Sequence, residues 1–336
     1  MFLNNREKPR ELLYYEVLSR RADLTRDEQW RMRNLARGFA GEAEYDRLFD
    51  AAGHGRLLIY RDLWMKIDKA VLQVDSLIVT DDTLIVNEIK NYSGNYLYRD
   101  GRWFQNGRPG GEDPLAQVSR TAGKLVRMAF HLPYRVAVEK KVVFVNPNLD
   151  LEVGSDDAAQ FAVGRPKLMR YFSDLNQMYA GAAAYKNANA LRKFFIDDPM
   201  PLPVTDVRRL RAGNYCYGCG SYELEHSRYT AICSQCNYEE TLERLVVRAL
   251  IDFTILFPKE KMTKAKMISF TDNQIHEKLL RKALVKYCSK TGSSRSTSYI
   301  VKNRDLHQLL KNNGYSSKYE KDIVFKLGEN AVGGSF

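Results

Sequence analysis

The chain has 336 residues, about two average domains by length, with 44% apolar and 28% charged residues. That balance excludes wholesale disorder, and the longest apolar stretch, Leu245 to Phe257, is broken by Arg248 and Asp252 and is too short to span a bilayer. The formal charge of +11 suits polyanions, and 18 Lys and Arg against 9 Asp and Glu from Thr241 onward place +9 of it in the last segment. The N-terminal residues are charged from Arg6 on and hold no apolar leader core, so a cytoplasmic location with no membrane partner is expected.

Residues 1–36 read as a basic helical arm, with Arg20, Arg21, Arg26, Arg31 and Arg33 at helical spacing, either solvated or set against phosphate. A new helix is expected to begin at Arg37-Gly38, carrying Tyr45, Leu48, Phe49 and Ala52 on one face. Leu57 to Tyr60, Val71 to Val79 and Leu84 to Lys90 read as strands, followed by a shorter hairpin from Tyr96 to Phe104. Pro114 opens a helix to about His131, since proline is tolerated in a first turn, and Lys140 to Asn146 reads as a buried strand. The expected fold class is therefore α/β with a mixed sheet, over a domain at 37–198. A Pro-rich linker at 199–213, a four-cysteine unit at 214–240, a basic and mostly helical domain at 241–328 and a loose tail at 329–336 complete the order.

The stretch Gln73 to Asn91 carries the chemistry. A turn at Asp81-Asp82 would set Val79 against Leu84, Leu77 against Val86 and Asp75 against Glu88, with Lys90 on the face of Glu88. Two adjacent carboxylates repel unless a cation lies between them, and a hard divalent ion, magnesium or manganese, resolves this. Such an ion polarises a phosphoryl oxygen and activates water, while a lysine steadies the charge developing on phosphate. The plainer alternative is a surface ion-pair cluster. The Glu-x-Lys triplet is weak by itself, because Glu139-Lys140-Lys141 supplies another, though with no acid set opposite by a hairpin.

Five ordered motifs carry a resemblance: Arg37-Gly38-Phe39-Ala40-Gly41-Glu42, Val74-Asp75-Ser76-Leu77-Ile78-Val79, Glu88-Ile89-Lys90-Asn91 with Gly94, Gly101-Arg102-Trp103, and Asp113-Pro114-Leu115-Ala116-Gln117. Together they resemble the NERD (nuclease-related) domain of the PD-(D/E)xK nuclease-like superfamily, over about residues 37–196. The resemblance implies a metal-dependent nuclease core with Asp75 and Glu88 as ligands of magnesium or manganese and Lys90 as catalytic lysine. It also implies Glu42 as a helical acid reaching the metal through water, and Gln117 as a glutamine orienting the lysine or the substrate. Val74 stands where the superfamily has proline. Nuclease-like folds can lose their chemistry and keep binding.

Cys216 and Cys219, then Cys233 and Cys236, form two CxxC pairs separated by 13 residues, a spacing that suits a closed structural zinc site and looks like a zinc ribbon. A redox pair or an iron site is the alternative, and Cys288 reads as a buried helix residue. Beyond it, Leu242 to Phe257 and Asn273 to Cys288 read as helices, the second with Ile275, Leu279, Leu280, Ala283, Leu284 and Tyr287 in one apolar stripe. Lys278, Arg281 and Lys282 fall opposite, with Lys286 at the margin, and a Gly/Ser hairpin bearing Arg295 precedes a strand at Thr297 to Val301. This order resembles a winged helix whose basic helix enters the major groove while Arg295 contacts phosphate or the minor groove. The alternative is a solvated basic face or a protein-binding surface.

The parts add up to a metal-dependent nuclease acting on nucleic acid, with DNA as the expected substrate and RNA left open, in prokaryotic defence or DNA processing, with a homodimer as the form that would cut both strands. The rival is a non-catalytic nucleic-acid-binding regulator on a nuclease-like scaffold. A third class, a zinc-scaffolded adaptor for proteins, would show no salt-sensitive affinity for DNA.

Overall fold

The computed structural model describes residues 1–154, 156–293, 296–303 and 308–309. The chain divides into two compact units, one of residues 1–9 and 30–201, the other of residues 10–29 and those from 202 on. The first 36 residues therefore do not form an arm of their own but are shared between the units. The division after Pro201 falls inside the segment Asp197 to Pro203, where three prolines exclude a helix.

Two helices open the chain, α1 (Arg10–Arg21) and α2 (Arg26–Ala52). The helix expected to start at Arg37-Gly38 is instead the second half of α2, which runs unbroken through both glycines. A helical glycine costs only about 1 kcal/mol, and the buried face of Tyr45, Leu48 and Phe49 outweighs it.

In the first unit six strands form one sheet in the order β10-β1-β2-β3-β7-β9: β1 (Leu58–Ile67), β2 (Ala70–Val79), β3 (Thr83–Lys90), β7 (Ala137–Phe144), β9 (Ala162–Val163) and β10 (Phe195–Ile196). The strand expected at Leu57 to Tyr60 is longer than its apolar run, because Asp68 takes a positive φ and turns β1 straight into β2. The β2–β3 register follows the sequence reading through Val79 with Leu84 and Leu77 with Val86. Thr80 and Thr83 close that turn around Asp82, while the Asp81 carboxylate accepts the backbone N–H groups of Gly181 and Ala184 at the start of α6 (Ala182–Leu191).

β3 and β7 run parallel, so a crossover joins them. It holds β4 (Gly94–Arg99), β5 (Arg102–Gln105), β6 (Arg108–Pro109) and α3 (Pro114–Ala129). With β8 (Leu149–Val153), β4 to β6 make a second, four-stranded sheet. α3 covers one face of the main sheet through Val118, Leu125 and Met128, while α2 and α5 (Arg165–Leu175) cover the other through Tyr45, Phe49 and Phe172. The short α4 (Asp156–Ala159) completes the unit. The α/β, mixed-sheet fold class expected from the sequence is the one observed.

In the second unit a small sheet of β11 (Leu224–His226), β12 (Thr230–Cys233) and β13 (Glu239–Thr241) carries the cysteines and leads into α7 (Leu242–Leu256). α7 is buried nearly all round, which explains why its apolar run includes Arg248 and Asp252. Both charges are paired, Asp252 with Arg21 of α1 at 2.9 Å and Arg248 with Glu240. Buried ions require such partners. Next come α8 (Lys264–Phe270), α9 (Glu277–Tyr287) and a hairpin of β14 (Cys288–Thr291) and β15 (Ser298–Val301), with an antiparallel bridge from Met262 to Tyr299. α9 starts later than Asn273 because Asp272 and Asn273 both take positive φ and His276 caps the helix. Cys288 is buried as expected, but it opens β14 rather than ending a helix. Arg295 and residues 310–336, which include the expected tail at 329–336, lie outside the described residues. No described helix is long and apolar enough to cross a membrane.

Candidate active site

The site forms where the β2–β3 hairpin opens. Ladder pairing ends at Ser76 with Asn87, one step short of the expected Asp75–Glu88 pair. At that step the Asp75 carboxylate replaces the backbone partner: its Oδ2 accepts the N–H of Ile89 at 2.8 Å. On the other side of β2, Asp62 takes a positive φ between the pairs Arg61–Ser76 and Leu63–Val74, so β1 is irregular at the same level. The opposite edge of β3 stays regular, with Glu88, Ile89 and Lys90 registered to Val142, Val143 and Phe144 of β7. Glu88 and Lys90 are thus fixed by a parallel neighbour while Asp75 closes on them from the side.

Lys90 is held between two partners, Glu88 Oε1 at 2.9 Å and Gln117 Oε1 at 3.0 Å. Gln117 reaches it because Asp113 caps α3. The Asp113 side chain accepts from the Ala116 N–H and from Trp103 Nε1, both at 3.0 Å, and the Gln117 N–H bonds the Asp113 carbonyl. The separated motifs Gly-Arg-Trp and Asp-Pro-Leu-Ala-Gln are therefore one structural device for aiming a glutamine at a lysine.

Glu42 and Asp46 lie one turn apart on α2. The helix approaches the site closely, since a Cβ on Gly41 would stand 2.4 Å from Cβ of Asn91. Asn91 is clamped in turn, donating to the Arg37 carbonyl and accepting from Asn146 Nδ2, each at 2.9 Å. The partner of Glu42 is Arg6, whose Nη1 lies 2.5 Å from Glu42 Oε2 while Nε and Nη2 grip both oxygens of Asp46. Sequence reasoning missed Arg6, and no local signal marks it, because it stands 36 positions before Glu42.

Burial raises the Glu42 carboxyl to about 8 and the nearby Asp75 charge adds to this, against the pull of Arg6. Burial and Asp75 likewise raise Glu88 to about 7, opposed by Lys90. Asp75 is raised by burial, against the Ile89 N–H and Lys90. Burial works against the charge on Lys90, yet Glu88 and its neighbours keep its pKa above the ordinary value. Three acids pushed upward around a retained lysine are short of positive charge, as expected of a cation site.

The donor set fits a hard divalent ion. Beyond the Ile89 N–H on Asp75 Oδ2 and Lys90 on Glu88 Oε1, the second oxygen of each carboxylate accepts no hydrogen bond from the described residues. Magnesium and manganese characteristically bind through one or two carboxylates, with water and phosphate completing the shell.

The cysteines make a different centre. Their four sulfurs all lie within 4.8 Å of one another, with Cys216 and Cys236 3.5 Å apart and Cys219 and Cys233 3.6 Å apart. Thiolates on a tetrahedral zinc at about 2.3 Å stand about 3.8 Å from each other, so the four sulfurs already approach that geometry. Burial pushes the Cys216 thiol up to about 12. Cys233 is brought down to about 7 despite burial, because the N–H groups of Cys236 and Gln235 point at its sulfur. None of the five cysteines is in a disulfide.

In α9, Lys278, Arg281 and Lys282 are exposed opposite the buried Leu280, Ala283, Leu284 and Tyr287. Lys286 bonds Glu243 of α7 at 3.0 Å, and Tyr287 donates to the same carboxylate. Curated proteins and solved structures yield no match to the chain. Among protein families, the nuclease-related domain (NERD) matches residues 37–145, a span that contains Glu42, Asp75, Glu88, Lys90 and Gln117. The chain therefore carries a nuclease-related domain, followed by a four-cysteine cluster fit for zinc.

Proposed function

We propose that the protein is a metal-dependent nuclease that hydrolyses phosphodiester bonds in nucleic acid, with DNA as substrate. The observation that carries this reading is Lys90, held between Glu88 and Gln117 beside Asp75 in a domain of nuclease-related sequence. Asp75 and Glu88 would hold magnesium or manganese through their uncommitted oxygens. When bound, the ion supplies polarisation of a phosphoryl oxygen and a more acidic water. Lys90, fixed by two acceptors, would meet the scissile phosphate and steady the charge that builds on its oxygens. Gln117 keeps the ammonium aimed, and Asp113 with Trp103 keeps Gln117 in place.

The second unit would supply affinity. The succession α7, bridge at Met262, α8, α9 and hairpin supports a winged-helix reading, and the exposed Lys278, Arg281 and Lys282 would face the duplex. Lys286, bonded to Glu243, would contribute to this face while tied to the fold. The four cysteines would hold a structural zinc. Cutting both strands would call for a homodimer, and defence against foreign DNA or DNA processing would suit such an enzyme.

The test is cleavage of supercoiled plasmid by wild type and Lys90→Ala, with magnesium, with manganese and without either ion. Ion-dependent nicking by wild type, slowed about 10²- to 10³-fold in the variant, is the expected outcome. Equal cleavage by both proteins would remove Lys90 from the site. Tight, salt-sensitive plasmid binding without cleavage would favour the non-catalytic regulator.

A further inference from the structure

Arg6 is spent entirely inside the acidic site. Its side chain is only 4% exposed. Nη1 bonds Glu42, Nε and Nη2 fork onto Asp46 at 2.8 and 3.0 Å, and Nη2 also donates to the Asp75 carbonyl at 3.0 Å. A planar guanidinium can make these bonds at once, whereas an ammonium cannot. The aim of Arg6 is set by residues before it. Leu3 donates to the Ile59 carbonyl at 2.8 Å, and Asn4 exchanges two hydrogen bonds with the backbone of Arg61, so the segment lies along β1. Arg6 also stands outside the span of the nuclease-related match.

We infer that Arg6 is a resident cation of this site, a positioning residue that takes Glu42 out of the ligand set and leaves Asp75 and Glu88 to hold a single divalent ion. The inference rests on the reading of Asp75 and Glu88 as the metal-holding pair. Two further observations carry it. Among the described residues, the four cysteines are the group of three or more His, Cys, Asp or Glu gathered to hold a metal ion, and Glu42, Asp75 and Glu88 are not gathered as such a group. The ion pairs agree: Arg6 and Arg61 are matched with Glu42 and Asp46, while Lys90 lies with Glu88 beside Asp75, so the acids left for an added cation are Asp75 and Glu88.

The test is titration of Mn2+ into the zinc-loaded full chain, followed by calorimetry and by Mn2+ electron paramagnetic resonance. Wild type should bind one ion in the nuclease-like unit and Asp75→Asn none. Glu42→Gln should keep the affinity within about threefold, and Arg6→Met, which frees Glu42, should admit a second ion. A latch that merely holds the fold would lower the melting temperature of Arg6→Met but leave one ion bound, and that result overturns the inference. So does a weakening of about tenfold or more in Glu42→Gln, the scale expected when a ligand or its support is removed. Glu42→Gln decides alone if Arg6→Met does not fold. No binding by wild type, or binding indifferent to Asp75→Asn, overturns the metal-pair reading itself and this inference with it.

Discussion

The two candidate metal centres are built on opposite plans. The four thiols come from two CxxC turns within 21 residues, and their sulfurs converge without help from distant chain. The carboxylate centre draws Asp75 from β2, Glu88 and Lys90 from β3, Glu42 from α2, Gln117 from α3 and Arg6 from the N-terminal segment. It does not converge into a closed cage. The contrast separates structural from chemical metal: a closed set of soft ligands saturates its ion, while an open pair of hard ligands leaves positions for water and phosphate. Electrostatics do not divide the centres so cleanly, since burial raises Glu42, Glu88 and Cys216 alike while the N–H groups of Cys236 and Gln235 bring Cys233 down.

The largest expected effect separates the centres by removing zinc. Apparent binding energies of structural zinc, about 10–16 kcal/mol, match or exceed the stability of a typical domain. Tyr215, next to Cys216, lies under the guanidinium groups of Arg248 and Arg21 and links the ribbon to α7 and α1. Chelation, or Cys216→Ser, should therefore abolish hydrogen-exchange protection in 214–241 and loosen α7, while β1 to β3 keep theirs. Protection that survived in the ribbon would break the comparison, because the thiols would then not depend on metal.

Next comes Gly41→Ala, aimed at the tertiary assembly of the carboxylate centre. A methyl group 2.4 Å from Cβ of Asn91 must push α2 away, at about 1–3 kcal/mol, read as a lower denaturant midpoint with the ribbon unaffected. A smaller change should come with pH. In the metal-free protein Glu88 holds its proton up to about 7 when folded against 4.5 when unfolded, so the folded state binds more protons between these values. Its contribution to stability is then complete below about 4.5 and is lost as pH rises through about 7, the range over which Mn2+ affinity should grow. Stability of the first unit that rose with pH over that window would contradict the raised carboxyl. The smallest effect belongs to α9: Lys278→Glu with Arg281→Glu should lower the salt slope of DNA binding by about one for each phosphate no longer neutralised, with the metal centres untouched.

Local chemistry explains what was legible in advance. Asp81-Asp82 between two β-rich runs marked the hairpin and its register, because strand alternation and turn residues act over a few positions. CxxC spacing marked the thiol cluster, and Pro114 the start of α3. Three features misled. The glycines of α2 looked like a boundary, though burial of Tyr45 and Phe49 carries the helix through them. Asp75 opposite Glu88 looked like one more ladder pair, though the ladder ends at Ser76 and the Asp75 side chain takes the next N–H. The arginines of the first 36 residues looked like a basic arm, solvated or set against phosphate, though Arg21 is buried on Asp252, and Arg6, outside that reading, is buried on Glu42 and Asp46.

Taken alone, the sequence determined the α/β class, the hairpin that brings Asp75, Glu88 and Lys90 to one end, and the four-cysteine knuckle. All of these depend on contacts between residues close in the chain, where periodicity and turn chemistry leave few alternatives. Tertiary structure decided that Gln117 is the second partner of Lys90, that β7 braces β3, and that Glu42 belongs to Arg6. The Lys90–Gln117 and Arg6–Glu42 pairs join residues 27 and 36 positions apart, and nothing in local propensity selects one long-range partner over another. Burial makes the selection, because a charge removed from water must find its opposite within a few ångströms.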